Sequence, residues 1–165
     1  MDRLLRQHLE ATYFAEYQVL RNELMELLTD DDLSYRPGAE AFSLGELCRE
    51  IGEIEHSYVE AFRTFRQDFD WRNLDPRMER SVRALTEWYA DLDRRLAIAL
   101  EALTEDEVAK RRVTRHDFGV EAFSPLPPQA LDIYREALLI FCGKVSVYLR
   151  TMGKGLPGHW RAWIG

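Results

Sequence analysis

Residues 138–160 read LLIFCGKVSVYLRTMGKGLPGHW, an apolar run closed by glycine and proline. Followed backwards the pattern reaches Pro128, so the stretch is the second half of a helix from about Pro128 to Met152. Gly153 and Gly155, with Pro157 beyond, supply the residues that end a helix: glycine tolerates the left-handed turn and proline cannot continue the hydrogen-bond ladder. This reading decides the fold because the rest of the chain supplies three more segments of the same kind and no parallel-sheet pattern between them.

Upstream, the first helix runs from about Asp2 to Leu28, with Leu5, Leu9, Phe14, Tyr17, Leu20, Leu24 and Leu27 close to one stripe, before TDDD at 29–32 breaks the pattern. The second opens at Ser43 with Glu46 three residues on, a capping-box spacing, and carries Leu47, Ile51, Ile54, Tyr58, Phe62 and Phe65 to near Arg66. The third starts at Asp75-Pro76, a cap with proline at the first helical position, and continues through Val82, Leu85, Tyr89, Leu92 and Leu96 to Leu103. The expected fold is an all-α four-helix bundle with a long connection between the third and fourth helices, in one domain over residues 1–165.

That connection contains EDEVAKRRVTRHDFGVEAFSPLPP at 105–128, broken by Gly119, Ser124, Pro125, Pro127 and Pro128. Its length fits a crossover along the bundle or a lid over one end, with Val113, Phe118, Val120 and Phe123 available to plug the core. Lys110, Arg111, Arg112, Arg115 and His116 follow Glu105, Asp106 and Glu107, which reads as a solvated face rather than a nucleic-acid patch.

Composition narrows the function classes. In 165 residues, 22 Lys and Arg stand against 29 Asp and Glu, a formal net charge of −7 that opposes binding to nucleic acid or anionic membranes. No apolar run approaches the roughly 20 residues a bilayer requires, and MDRLLRQHLEATY at the N-terminus is amphipathic rather than a signal peptide, so a cytoplasmic location is expected. Cys48 and Cys142 lie in apolar helical patterns and are expected to be buried, reduced thiols.

Chemistry-bearing constellations are sparse. Glu53 and His56 form one Glu-x-x-His step, whereas a di-iron bundle needs two, and the fourth helix offers Glu136 without a histidine. At 100° per residue His56 lies about 160° from the apolar stripe of its helix and should face water, while Glu50 lies about 80° away, flanked by Glu46 and Glu53 on an acidic edge. His8 and His159 fit surface or packing positions.

Two stretches carry a resemblance. LSYRPGAEAFSLGELCREIGEIE at 33–55 resembles a pattern of aromatic, Arg-Pro, gap, Ser-Ile-Gly-Glu-Leu and histidine, and GKVSVYLRTMGKGLP at 143–157 resembles Arg-Gly-Gln, apolar pair, Tyr-Leu-Arg, Gly, Pro. In this order, with four helices and a long third connection, the whole chain is similar to the DinB-like superfamily, the bacillithiol and mycothiol transferase type. The resemblance implies a divalent metal such as zinc or nickel held by three histidines, with an open position for a thiol cofactor or water. Carried over by register, the helix-two histidine falls on Glu50, the helix-four pair on Ala137 and Phe141, and the adjoining arginine on Cys142.

Alanine and phenylalanine cannot ligate a metal, so the expectation is a divergent member without metal or cofactor. Its candidate pocket is the family's metal position: Glu50, Ala137 and Phe141, with Glu46 and Tyr134. The implied role is binding of a small-molecule ligand or an interaction, with a homodimer through a helical face and aromatics such as Trp71, Trp88, Trp160 and Trp163 available for it. The alternative is a thiol-dependent transferase or hydrolase around a rearranged carboxylate site of Glu46, Glu50, Glu53 and Glu136, an oxygen-only set suited to weakly held Mg²⁺ or Mn²⁺.

Overall fold

The computed structural model describes residues 1–115 and 123–163. Four long helices build the bundle: α2 (Phe14–Leu27), α3 (Leu44–Thr64), α4 (Val82–Glu101) and α6 (Pro127–Thr151). Short helices α1 (Arg3–Ala11), α5 (Glu105–Lys110) and α7 (Gly158–Trp163) lie around them. Helix α3 packs on both α4 and α6, and α2 packs on the same two, so the ring order is α2, α4, α3, α6. The chain therefore passes from α2 to its diagonal partner α3, and from α4 to its diagonal partner α6. Crossing a diagonal takes more chain than turning to a neighbour, which accounts for the length of the last connection. That connection contains α5 and a two-residue strand, β2 (Thr114–Arg115), paired in parallel with β1 (Arg66–Gln67) just after α3.

Local chemistry sets the boundaries. Ser43 and Glu46 form the expected capping box, the Glu46 amide donating to Ser43 Oγ at 3.1 Å and the Ser43 amide to Glu46 Oε2 at 2.6 Å. Helix α6 ends as expected at Gly153, whose φ of +71° allows the Lys154 amide to reach back to the Leu149 carbonyl at 2.8 Å.

Two helices differ from the sequence reading. The expected single first helix is broken at Thr12 and Tyr13: the Thr12 hydroxyl donates to the His8 carbonyl at 2.9 Å and Tyr13 takes a left-handed φ of +53°. The break folds α1 onto α2 and α5, burying Leu5. The third helix starts later than Asp75-Pro76, which instead cap a 3₁₀ turn (Pro76–Glu79), and Ser81 caps α4 by accepting the Ala84 amide at 3.3 Å. This turn presses against α3, and a Cβ on Gly45 would lie 2.1 Å from the Glu79 carbonyl oxygen.

One contiguous apolar core runs through the bundle and includes both cysteines, which are free thiols as expected. Val113 plugs its end, Phe123 is exposed, and Phe118, Val120 and His116 lie outside the described residues. The tail folds back: Trp160 on α7 is fully buried, and its indole N–H donates to the Leu20 carbonyl at 2.8 Å.

Candidate functional site

Helix α3 presents two faces to two different environments. One carries Leu47, Cys48, Ile51, Tyr58 and Phe62 into the core. The other carries Glu46, Arg49, Glu50, Glu53 and Ile54 into a cleft of about 440 Å³, closed by Phe42, Phe69, Arg72 and Arg115. The parallel β1–β2 pairing brings this wall together, because it holds Arg115 beside the segment that leaves α3.

The carboxylates of this cleft are not equivalent. Glu46 accepts the Ser43 amide and pairs with Arg36 at 2.8 Å, and these contacts, the amide first, hold it below the ordinary carboxylate range. Glu53 is 7% exposed and accepts the Asn73 amide at 2.9 Å, with Arg49 at 3.7 Å and Arg72 at 3.8 Å. Burial nevertheless pushes its carboxyl above the ordinary value. Glu50 is half-exposed at the mouth, 3.9 Å from Lys144. The cations are built into the walls: the Arg49 guanidinium lies 3.1 Å from Glu79, Arg72 donates to the Trp71 carbonyl at 2.8 Å, and Arg115 sits 5.0 Å over the Phe69 ring.

The sequence-derived candidates separate into two groups. Glu50 and Glu46 line the cleft. Phe141 and Tyr134 are buried in the core with Ala137 packed against it, and none of the three lines the cleft. Tyr134 packs against Tyr58 and Phe14 in tilted ring pairs, at centroid distances of 5.1 and 5.6 Å. Glu136 is exposed on α6 away from the cleft, so the four carboxylates of the rearranged site are not brought together. Among the described residues no three His, Cys, Asp or Glu side chains come close enough to share a metal ion. Cys142 is buried, and burial pushes its thiol up to about 12, away from the reactive thiolate form. His56 does not simply face water: it is half-buried and stacks on Trp71, ring centroids 3.8 Å apart, and burial with the nearby Arg95 lowers its pKa.

A charged cluster inside the bundle was not singled out from the sequence. Arg21 of α2 and Glu55 of α3 are both 0% exposed and form an ion pair inside the bundle. A second Arg21 nitrogen donates to Asp93 of α4 at 2.8 Å, and the guanidinium lies 4.2 Å over the Tyr89 ring. The Tyr134 hydroxyl faces Glu55 closely enough to favour its charged form, but makes no hydrogen bond of normal geometry. Burial raises Glu55 to about 7, with Asp93 adding to the effect and Arg21 opposing it. A signal was present: Glu55 follows Ile51 by four residues and precedes Tyr58 by three, so a charged residue sits on the apolar stripe. Arg21 likewise follows Tyr17 by four and precedes Leu24 by three.

With four helices, a diagonal third crossover and a cleft on α3 established, the sequence pattern of the DinB superfamily matches residues 16–132. The chain belongs to the DinB superfamily. A DinB-like protein, YjoA from Bacillus subtilis, superposes on it with a TM-score of 0.67 at 20% identity, over 89% of this chain and 94% of that one. At that identity the likeness carries the fold alone. No functionally curated protein matches the chain. Among the described residues of this DinB-superfamily member, no helix is long and apolar enough to cross a membrane.

Proposed function

We propose that this DinB-superfamily protein binds a small molecule with an anionic head and an apolar body in the α3 cleft, without metal catalysis there. The observation that carries the reading is the makeup of the cleft: Arg72 and Arg115 stand beside the aromatic walls of Phe42 and Phe69 in about 440 Å³, a volume suited to a small ligand, while of the carboxylates Glu46 and Glu53 are held by amides of their own chain and Glu50 lies half-exposed at the mouth. Guanidinium groups beside apolar rings recognise a charged group and a flat body together. Support for the metal-free half comes from Ala137 and Phe141, which belong to the packed core rather than to the cleft beside Glu50. A carboxylate metal centre has no comparable support, because Glu46 and Glu53 are engaged by their own chain and Glu136 stands apart. We propose a cytoplasmic location for it. The exposed Leu139, Ile140 and Val147 on α6 are the face through which two copies would pair.

Titration calorimetry with phenyl phosphate, and with phenol as the uncharged control, tests the cleft. Phenyl phosphate should bind, and phenol about tenfold more weakly or not at all; Arg72→Ala should weaken phenyl phosphate by about tenfold, or 1.4 kcal/mol. Equal binding of the two probes, or no binding of either, overturns the reading. Metal analysis after incubation with Zn²⁺, Ni²⁺ and Mn²⁺ and gel filtration tests the other half, and about one retained equivalent per chain would refute it.

A further inference from the structure

A second cavity, of about 430 Å³, opens between the α1–α2 corner and α4. Its walls are apolar, formed by Leu9, Phe14, Leu96 and Leu100, and its polar floor is Gln18 and Asp93. Among the described residues no Lys or Arg side chain lines it, while Glu10 and Glu16 do. Behind the floor stands the buried ion cluster. Gln18 Nε2 donates to Asp93 Oδ1 at 2.6 Å and lies 3.5 Å from Glu55 Oε1, so one amide connects the cavity to the core carboxylate. Arg21 is shared by Glu55 and Asp93. Two carboxylates on one guanidinium leave a net negative charge, and it stands next to an apolar space because Asp93, 26% exposed, lines the cavity.

We propose that this cavity binds an apolar primary amine, with its ammonium group against Asp93 and its body between Phe14, Leu96 and Leu100. The ammonium supplies the cation that the cluster lacks, and the walls take the hydrocarbon out of water. In the absence of ligand a proton shared with solvent competes for the same charge, since burial raises the Glu55 carboxyl to about 7 and so to partial protonation at neutral pH. The groups facing that carboxyl are Arg21 and Gln18 from α2, Asp93 and Tyr89 from α4 and Tyr134 from α6. Glu10, Glu16 and Met1 also line the cavity. Ammonium and proton neutralise the same charge, so amine binding displaces a proton from Glu55 and strengthens as pH rises from about 6 to about 8.

The test is titration calorimetry of the full chain with 2-phenylethylamine, run in two buffers of different ionisation enthalpy at pH 7. The expected result is binding with proton release, an affinity several-fold higher at pH 8 than at pH 6, and at least tenfold weaker binding of uncharged 2-phenylethanol. Asp93→Asn should cut the amine's affinity at least tenfold, and Glu55→Gln should abolish the proton release. Ala97→Trp, at an exposed lining position, should block binding while leaving the unfolding midpoint within about 2 °C, which covers the case in which Asp93→Asn fails to fold. Arg72→Ala should have no effect on the amine, which separates this cavity from the α3 cleft. Equal binding of amine and alcohol, normal binding by Ala97→Trp, or no binding by the wild-type protein overturns the proposal.

Discussion

Arg21→Met isolates the charge of the buried cluster, because methionine keeps an unbranched apolar stem in the space that the 0% exposed arginine occupies. The substitution leaves Glu55, itself 0% exposed, without its cation, and strips Asp93 of its partner at 2.8 Å. Removing one member of a buried pair costs about 3–5 kcal/mol, since the remaining charge is left desolvated and uncompensated. For a chain of this length that corresponds to a fall in midpoint of about 12 °C, at about 3 °C per kcal/mol. The assay is urea unfolding at pH 8, followed by tryptophan fluorescence and circular dichroism. The double variant Arg21→Met/Glu55→Met, which removes both charges at similar volume, should return to within about 1 kcal/mol of wild type. A single-variant cost below about 1 kcal/mol, or a double variant no better than the single, would refute the assignment of the cluster as a coupled, desolvated unit.

Three further outcomes follow from the same structure. Glu55 has a folded pKa of about 7, above its unfolded value, so its contribution is complete below about pH 4.5 and is lost as pH rises to 7. The wild type should therefore lose stability relative to Glu55→Gln between pH 5 and pH 8; a pH-independent gap contradicts this. Trp160→Ala should cost about 3–5 kcal/mol, because the indole is fully buried and hydrogen-bonded to Leu20, and a loss below about 1 kcal/mol would show that α7 is not docked in solution. Gly45→Ala should destabilise more than Gly52→Ala, since the new Cβ would meet the Glu79 backbone oxygen at 2.1 Å in one case and the movable Trp88 side chain at 2.5 Å in the other; the reverse order in thermal melts would contradict that geometry.

Helix identity was legible because it depends on neighbours three and four residues apart, which the sequence states directly. The capping box at Ser43 and the glycine stop at Gly153 were legible for the same local reason. The break at Tyr13 was not, because Thr12 and Tyr13 leave the helix only when α1 can bury Leu5 by folding back. The buried cluster was half-legible. Glu55 and Arg21 each occupy a place on an apolar stripe, but a single stripe cannot tell whether a charged residue sits at its edge or finds a partner across the core.

The candidate site shows the same division. The sequence placed Glu46, Glu50 and Glu53 on one edge of α3, since spacings of four and three residues set a shared face. It could not show that Glu53 would be the buried member and Glu50 the half-exposed one, because that depends on Arg72 and Asn73 folding over α3. Nor could it separate Phe141 and Tyr134 from the cleft, a matter settled by the packing of α6 on α3. By itself, then, the sequence determined the four amphipathic segments, the capping box at Ser43, the glycine stop at Gly153 and the acidic edge, all properties of short-range periodicity. Only the tertiary structure decided the ring order, the Arg21–Glu55–Asp93 cluster and the two cavities, because each joins residues from different helices whose distance no spacing along the chain encodes.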